Sequence, residues 1–221
     1  MRRIWIAAVT AIVCLSFLGS TRNANAQLVN GDFEAGAYVF DGNGADSLVA
    51  LSTAITGWTT VNAELAVITQ PNTFSILAES GTKHLDLTGY HDSGPYAGIT
   101  QTVNTVAGRN YSLSFYIGSQ TGNVSIDVTT GLTTATYTNS SGGAGPVWQQ
   151  FTHNFTATGA TFIQFLGTAT SSGNYIGLDN ITLAGDFTPA RSTPEPGSLA
   201  LLVGIAVAAQ GVRRKNRHCA R

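Results

Sequence analysis

Eleven carboxylates and two cationic side chains share residues 27–190, and that imbalance decides which chemistry the segment can do. Asp32, Glu34, Asp41, Asp46, Glu64, Glu79, Asp86, Asp92, Asp127, Asp179 and Asp186 face only Lys83 and Arg109, a net of −9. A surface of that sign repels phosphate backbones, so nucleic acid is excluded as a partner. It suits a hard cation, since calcium takes ~6–8 oxygen ligands. Asp179 is the sharpest candidate. It shares strand parity with Ile181 and Leu183, which turns it toward the core. A carboxylate there is costly unless paired, hydrogen-bonded or metal-bound. Two readings stay open: a structural calcium ligand, or the cap of a turn through backbone N–H groups.

A second pattern joins rings to polar side chains. Sugars stack their apolar faces on aromatic rings while nearby polar groups bind the hydroxyls. Tyr90-His91-Asp92-Ser93-Gly94-Pro95-Tyr96 offers both, with Tyr116 on the outward face of its strand and Tyr137 in another segment. Tyr90, His91, Asp92, Tyr96 and Tyr116 are therefore the candidate glycan ligands, against the alternative of a plain surface loop. Trp58 and Trp148 are expected in the core or at its rim. Catalysis finds little support. There is no His-Glu-x-x-His, no Gly-x-Ser-x-Gly and no phosphate-binding glycine pattern. His84, His91 and His153 have no metal-ligand spacing, and His153 is expected as an exposed strand residue. Asp86 and Asp92 could form a glycosidase pair, but any acidic domain offers such pairs. A non-enzymatic protein is expected.

The elements that must position these residues read as strands. No long 3.6-residue period runs between Gln27 and Gly185. Short alternating runs rich in Thr, Val, Ile, Tyr and Phe do, broken by Gly, Asn and Ser. Arg109–Ile117 is the clearest, with Tyr111, Leu113, Phe115 and Ile117 on one face. Further strands are predicted at Asn123–Val128, Gln149–Ala157 and Ile176–Ala184, and at Ala160–Gly167 as a strand buried on both faces. Earlier ones are predicted at Leu28–Phe33, Gly57–Thr60, Leu65–Ile68, His84–Leu87 and Gly98–Val103. Gly36–Asp46 and Thr138–Gly145 read as loops. The count and spacing predict an all-β fold, most simply a jelly-roll sandwich over residues 27–190. The cysteines, Cys14 and Cys219, both lie outside that segment, so no disulfide staples it.

Both ends read as addresses. Arg2 and Arg3 precede the apolar run Ile4–Gly19, and a polar stretch ends in Ala24-Asn25-Ala26. That is the layout of a signal peptide over residues 1–26, cut between Ala26 and Gln27 by signal peptidase. At the other end, Pro194-Glu195-Pro196 is a stiff, non-helical entry. Ser198–Val212 follows as an apolar helix, then Arg213 and Arg214 open a basic cluster expected to stay cytoplasmic. The helix would reach ~22 Å against a hydrocarbon core of ~30 Å, a marginal anchor suited to a temporary one.

Residues 193–217, with these three parts in this order, resemble the PEP-CTERM sorting signal. The resemblance implies a precursor held in the inner membrane by a single transmembrane helix. An exosortase then cleaves it near Pro194-Glu195-Pro196 and releases it to the surface or an exopolysaccharide matrix, as in biofilm-forming bacteria. A second resemblance rests on Leu28-Val29-Asn30-Gly31-Asp32-Phe33-Glu34, Ile55-Thr56-Gly57-Trp58, Leu85-Asp86-Leu87-Thr88-Gly89, Gly98–Val103, Tyr111–Phe115 and Leu178–Leu183. These look like the choice-of-anchor exported domains, similar to plant cell-wall domains of the galactose-binding jelly-roll class. It implies a carbohydrate-binding module with structural calcium and no catalysis. In that class the first and last strands meet near the calcium, which makes Glu34 and Asp179, with Asp32, the expected Ca2+ ligands. The expected protein is thus an exported, non-catalytic glycan binder. A purely structural or adhesive surface protein is the alternative, and a glycoside-active enzyme comes third.

Overall fold

The structure, a computed structural model, describes residues 28–91, 93–142, 147–171 and 174–185. Among these residues there are eleven strands: β1 (Ala45–Leu48), β2 (Thr59–Val61), β3 (Leu65–Thr69), β4 (Lys83–Asp86), β5 (Gly98–Val103), β6 (Asn110–Ser119), β7 (Val124–Thr130), β8 (Thr133–Asn139), β9 (Val147–Thr156), β10 (Thr161–Thr170) and β11 (Gly177–Gly185). None of the described residues is helical. The expected signal peptide with Ala26 and Gln27, and the expected tail with Pro194, Glu195, Pro196, Ser198, Val212, Arg213 and Arg214, lie outside the described residues.

The strands form two sheets, ordered β1-β3-β4-β11-β6-β9 and β2-β5-β10-β7-β8. Four antiparallel pairs carry the topology: β4 with β11, β5 with β10, β6 with β9 and β7 with β8. Strands β4 to β7 run out and β8 to β11 run back along them, and the doubled ribbon wraps so that its pairs alternate between the sheets. That is a jelly roll. β1 and β3 extend one sheet beyond β4, and β2 extends the other beyond β5.

Alternation explains the core. Tyr111, Leu113, Phe115 and Ile117 of β6 point inward, as do Val124, Ile126 and Val128 of β7 and Ile163 and Phe165 of β10. Phe115 is the hub, edge-on to Phe165 at 5.1 Å and to Tyr137 at 5.2 Å, and stacked on Phe151 at 6.0 Å. Trp58 closes the β2 side against Phe33 and Phe165, and its indole N–H donates to the Asn30 carbonyl.

Five expectations need correction. Leu28–Phe33 is not a strand, because Asn30 and Phe33 take φ of 53° and 57° and turn the chain. Asn30 holds that turn through Ala35 and Thr56. The loop expected over Gly36–Asp46 runs instead into β1 at Ala45. Thr138–Gly145 begins within β8, a strand nearly without large apolar residues, whose register comes from pairing with β7 across the Gly131-Leu132 turn. β10 is buried on one face only, since Phe162 is 40% exposed. His153 is inward and buried, because it shares parity with Phe151 and Phe155 and stands opposite Leu113. It bonds Thr130 and Tyr137.

Part of the six-stranded sheet, over β1, β3, β4 and the start of β11, is buried on its outer face too. The connection from β3 to β4, residues 70–82, folds back as a strap across it. Ala45, Ala66 and Ile68 make a small second core there with Phe74. Further along the same face His84 is buried beneath the Trp148 and Tyr175 rings, at 5.5 and 6.1 Å.

Candidate functional site

The loops β4–β5, β6–β7 and β10–β11 all emerge at the same end of the sandwich, because the strands that they join alternate in direction. Together with the strap they enclose a cleft of about 230 Å³. One wall is apolar, made by Ala66 and Ile68 of β3 and by Phe74 and Ile76 of the strap. The other is polar and aromatic, made by Asp86, Tyr90, Gln120 and Tyr175, with Gly89 between.

Each polar residue is set by local structure. Asp86 ends β4, and its Oδ1 accepts from the Thr88 N–H at 2.9 Å and the Thr88 hydroxyl at 2.7 Å. This Asx turn bends the chain out of the strand and presents Tyr90. The Tyr90 hydroxyl donates to Asp41 at 3.0 Å. Burial, that bond and the Asp41 charge push its pKa up to about 12, so it stays a neutral donor. Tyr175 precedes β11 and is 3% exposed, and among the described residues its buried hydroxyl has no hydrogen-bond partner. Two glycines make room for it. A Cβ on Gly118 would lie 2.8 Å from the Tyr175 hydroxyl, and one on Gly177 would lie 2.7 Å from its ring. Behind Tyr175, both ring nitrogens of His84 also lack a partner among the described residues. Burial pushes His84 down to about 3, so the ring is neutral.

The expected calcium ligands are arranged otherwise. A β-bulge at Asn180, which takes φ 48°, shifts the parity of β11. Leu178 and Ile181 face the core, while Asp179 stands opposite Tyr116 on the outer face, under the strap. Its Oδ2 accepts from the Glu79 and Ser80 N–H groups at 2.9 Å each, and its Oδ1 from Asn180. Burial raises Asp179 to about 7 against the pull of these three donors. Glu34 reaches the same strap. Its carboxylate takes the Thr82 and Lys83 N–H groups at 2.7 Å each, the Thr82 hydroxyl at 2.9 Å and the Lys83 ammonium at 3.0 Å. Burial raises Glu34, but these donors outweigh it and hold the group below the usual carboxylate range. Gly81, at φ 64°, lets the strap close round Glu34, and a Cβ there would meet its carboxylate. Asp32 is exposed and joins neither group. Among the described residues no three His, Cys, Asp or Glu side chains gather to hold a metal. Glu34 and Asp179 face cationic and N–H donors, so they do not fit a calcium shell of oxygens.

The expected glycan residues are dispersed. Tyr90 enters the cleft. His91 turns away to Glu64 at 3.3 Å, in a separate depression with Ser93, Gly94 and Pro95. Tyr96 packs on the core. Tyr116 sits half-buried on the outer face between Gln150 and Asp179. Asp92 lies outside the described residues. Phe74, Gln120 and Tyr175 were not legible as cleft residues, because only the strap and the loop ends bring them together. A larger open groove, about 1100 Å³, lies at the opposite end between the sheets. Its histidine, His153, is already held by Thr130 and Tyr137.

Fold and site define a jelly-roll β-sandwich with a strap-covered outer face and one aromatic, polar cleft at its loop end. Residues 26–174 match the model of DUF642, described as a protein of unknown function, and the chain belongs to that family. Halomucin of Haloquadratum walsbyi is 30% identical over 193 residues, which is 83% of this chain but 2% of halomucin's own length. Similar solved structures include a family 35 carbohydrate-binding module from Clostridium thermocellum, 16% identical, covering 62% of this chain and 97% of that one, with a TM-score of 0.41. A carbohydrate-binding module solved with a galactotriose is 17% identical, covering 72% and 97%, with a TM-score of 0.42. Another, solved with calcium and xylotriose, is 15% identical, covering 62% and 98%, with a TM-score of 0.39.

Proposed function

We propose that this protein is an exported, non-catalytic glycan binder that works at the cell surface or in an extracellular polysaccharide matrix. One observation carries the reading: the loop-end cleft sets the Phe74, Tyr90 and Tyr175 rings beside the Asp86 carboxylate and the Gln120 amide. Rings supply stacking surface for the apolar face of a sugar, and the carboxylate and amide supply hydroxyl partners. Asp86 is engaged by Thr88 in shaping the loop, which suits a binding residue better than a glycosidase acid. Export rests on the two flanking segments of the sequence: a signal peptide through Ala26, and a Pro194-Glu195-Pro196 tail with the apolar run 198–212 and Arg213-Arg214, read as a transient membrane anchor for an exosortase.

Titration of the purified protein with a panel of oligosaccharides tests the binding. Tyr90→Ala should weaken whatever sugar binds, while His91→Ala should leave it intact. If no glycan binds, the role is structural or adhesive. Mass spectrometry of the protein from its native host tests the sorting. The chain should start at Gln27 and end near residues 194–197, and an intact tail on the mature form would contradict it.

A further inference from the structure

We infer that the edge of β9 is an interface at which a second copy of this chain pairs antiparallel, through Thr152–Thr156. Two open sheets leave four edge strands, and the two sides of this sandwich treat them differently. On one side both edges are short and covered. β1 has four residues, and Ala45 is held from the loop before it: the Asp41 N–H donates to its carbonyl at 2.8 Å, and the Asp41 carboxylate accepts its N–H at 3.0 Å. β2 has three residues. The Thr60 N–H donates to the Ser52 carbonyl at 3.0 Å, and its carbonyl accepts from the Leu51 N–H at 2.8 Å.

On the other side stand β8 and β9, seven and ten residues long. Native edges are blunted by brevity, charge, proline, a bulge or a covering segment. β9 has no Asp, Glu, Lys, Arg or Pro, and it pairs with β6 without a register shift. Ala157 donates its N–H to the Arg109 carbonyl on the β6 side. Alternation then turns the N–H and C=O groups of Thr152, Asn154 and Thr156 to the free side. Among the described residues the Tyr137 hydroxyl, 3.4 Å from the Thr152 carbonyl, is the one group that bonds this edge. The groove of about 1100 Å³ opens beside it, between the end of β9 and the start of β8, and none of its lining residues is charged.

The residues themselves select the occupant. Thr152-His153-Asn154-Phe155-Thr156 reads nearly alike in both directions about Asn154. A two-fold axis there sets Asn154 opposite its counterpart, and Thr152 opposite Thr156 of the other copy. An isologous dimer needs such self-complementarity, and Thr–Thr pairs across a ladder are stabilising. Charge agrees. A domain of net −9 repels its own copies, yet none of its eleven carboxylates lies in β8 or β9. The pairing joins the two six-stranded sheets edge to edge and leaves the loop-end clefts open at opposite ends of the dimer.

Disulfide trapping in the full chain carrying Cys14→Ser and Cys219→Ser tests this. Antiparallel residues bonded opposite one another lie about 5.5 Å apart at Cα, within disulfide reach. Asn154→Cys should therefore cross-link into a dimer under mild oxidation, whereas Thr134→Cys on the β8 edge should not. Asn154→Lys sets like charges opposite each other. Light scattering should then show the dimer's dissociation constant raised about tenfold or more, with the monomer's melting temperature unchanged. A chain monomeric at every concentration, an Asn154→Cys chain that does not cross-link, equal cross-linking of Thr134→Cys, or a dimer indifferent to Asn154→Lys would overturn the inference. None of these readouts depends on a sugar.

Discussion

His84 and Asp179 should cancel each other in the pH dependence of stability, and removing either should expose the other. Burial lowers His84 from 6.5 to about 3, so between those values the unfolded chain holds a proton there and the folded chain does not. Burial raises Asp179 from 3.8 to about 7, so over nearly the same range the folded chain holds a proton and the unfolded one does not. His84 makes stability rise with pH up to 6.5, and Asp179 makes it fall with pH up to about 7. One proton's difference corresponds to a slope of about 1.36 kcal/mol per pH unit, and the two slopes have opposite signs. Urea unfolding between about pH 4.5 and 6 is the assay, because that interval lies inside both ranges. Relative to the unmodified protein, Asp179→Asn should gain about 2 kcal/mol across that interval, and His84→Leu should lose about 2 kcal/mol. His153 is also lowered by burial, but it adds the same slope to all three proteins and drops out of the differences. Three parallel stability profiles would refute the reasoning.

Further outcomes follow from the packing and the strap. Phe115→Ala should destabilise by about 3–5 kcal/mol, because the ring is fully buried among Phe151, Phe165 and Tyr137, and calorimetry should show it. Both Asn180→Val and Asn180→Gly lose the amide's bond to Glu79, but Asn180→Val should cost about 1–2 kcal/mol more at φ 48°; equal effects would deny the bulge. A chelator should leave the melting temperature unchanged, since N–H groups and Lys83 already serve the Glu34 and Asp179 carboxylates; a clear fall would show that a cation holds them. Lys83→Met should cost at most about 1 kcal/mol, because the pair is partly exposed and three other donors remain on Glu34.

Strand alternation was enough to locate most of the sandwich from the chain alone. Tyr111 to Ile117 predicts β6 because every second residue is large and apolar. β8 escaped because Thr, Ala and Tyr alternate without a strong apolar face, and pairing with β7 rather than burial sets its register. Asp179 shows how little a local period reveals once the ladder is broken: one bulge residue at position 180 reverses the face that sequence parity assigns.

Composition and order alone determined an acidic, disulfide-free, strand-built domain between two apolar flanks, because those properties are sums or short-range patterns along the chain. Tyr90 was legible as a candidate for the same reason, standing in a loop of rings and polar groups. The tertiary structure decided that Tyr90 meets Phe74, Gln120 and Tyr175, residues up to 101 positions apart. It also decided that Glu34 and Asp179 are both held by the strap's N–H groups. Those partners are set by how a jelly roll brings distant loops to one end and by where a connecting segment folds over a sheet, and neither leaves a periodic trace in the residues themselves.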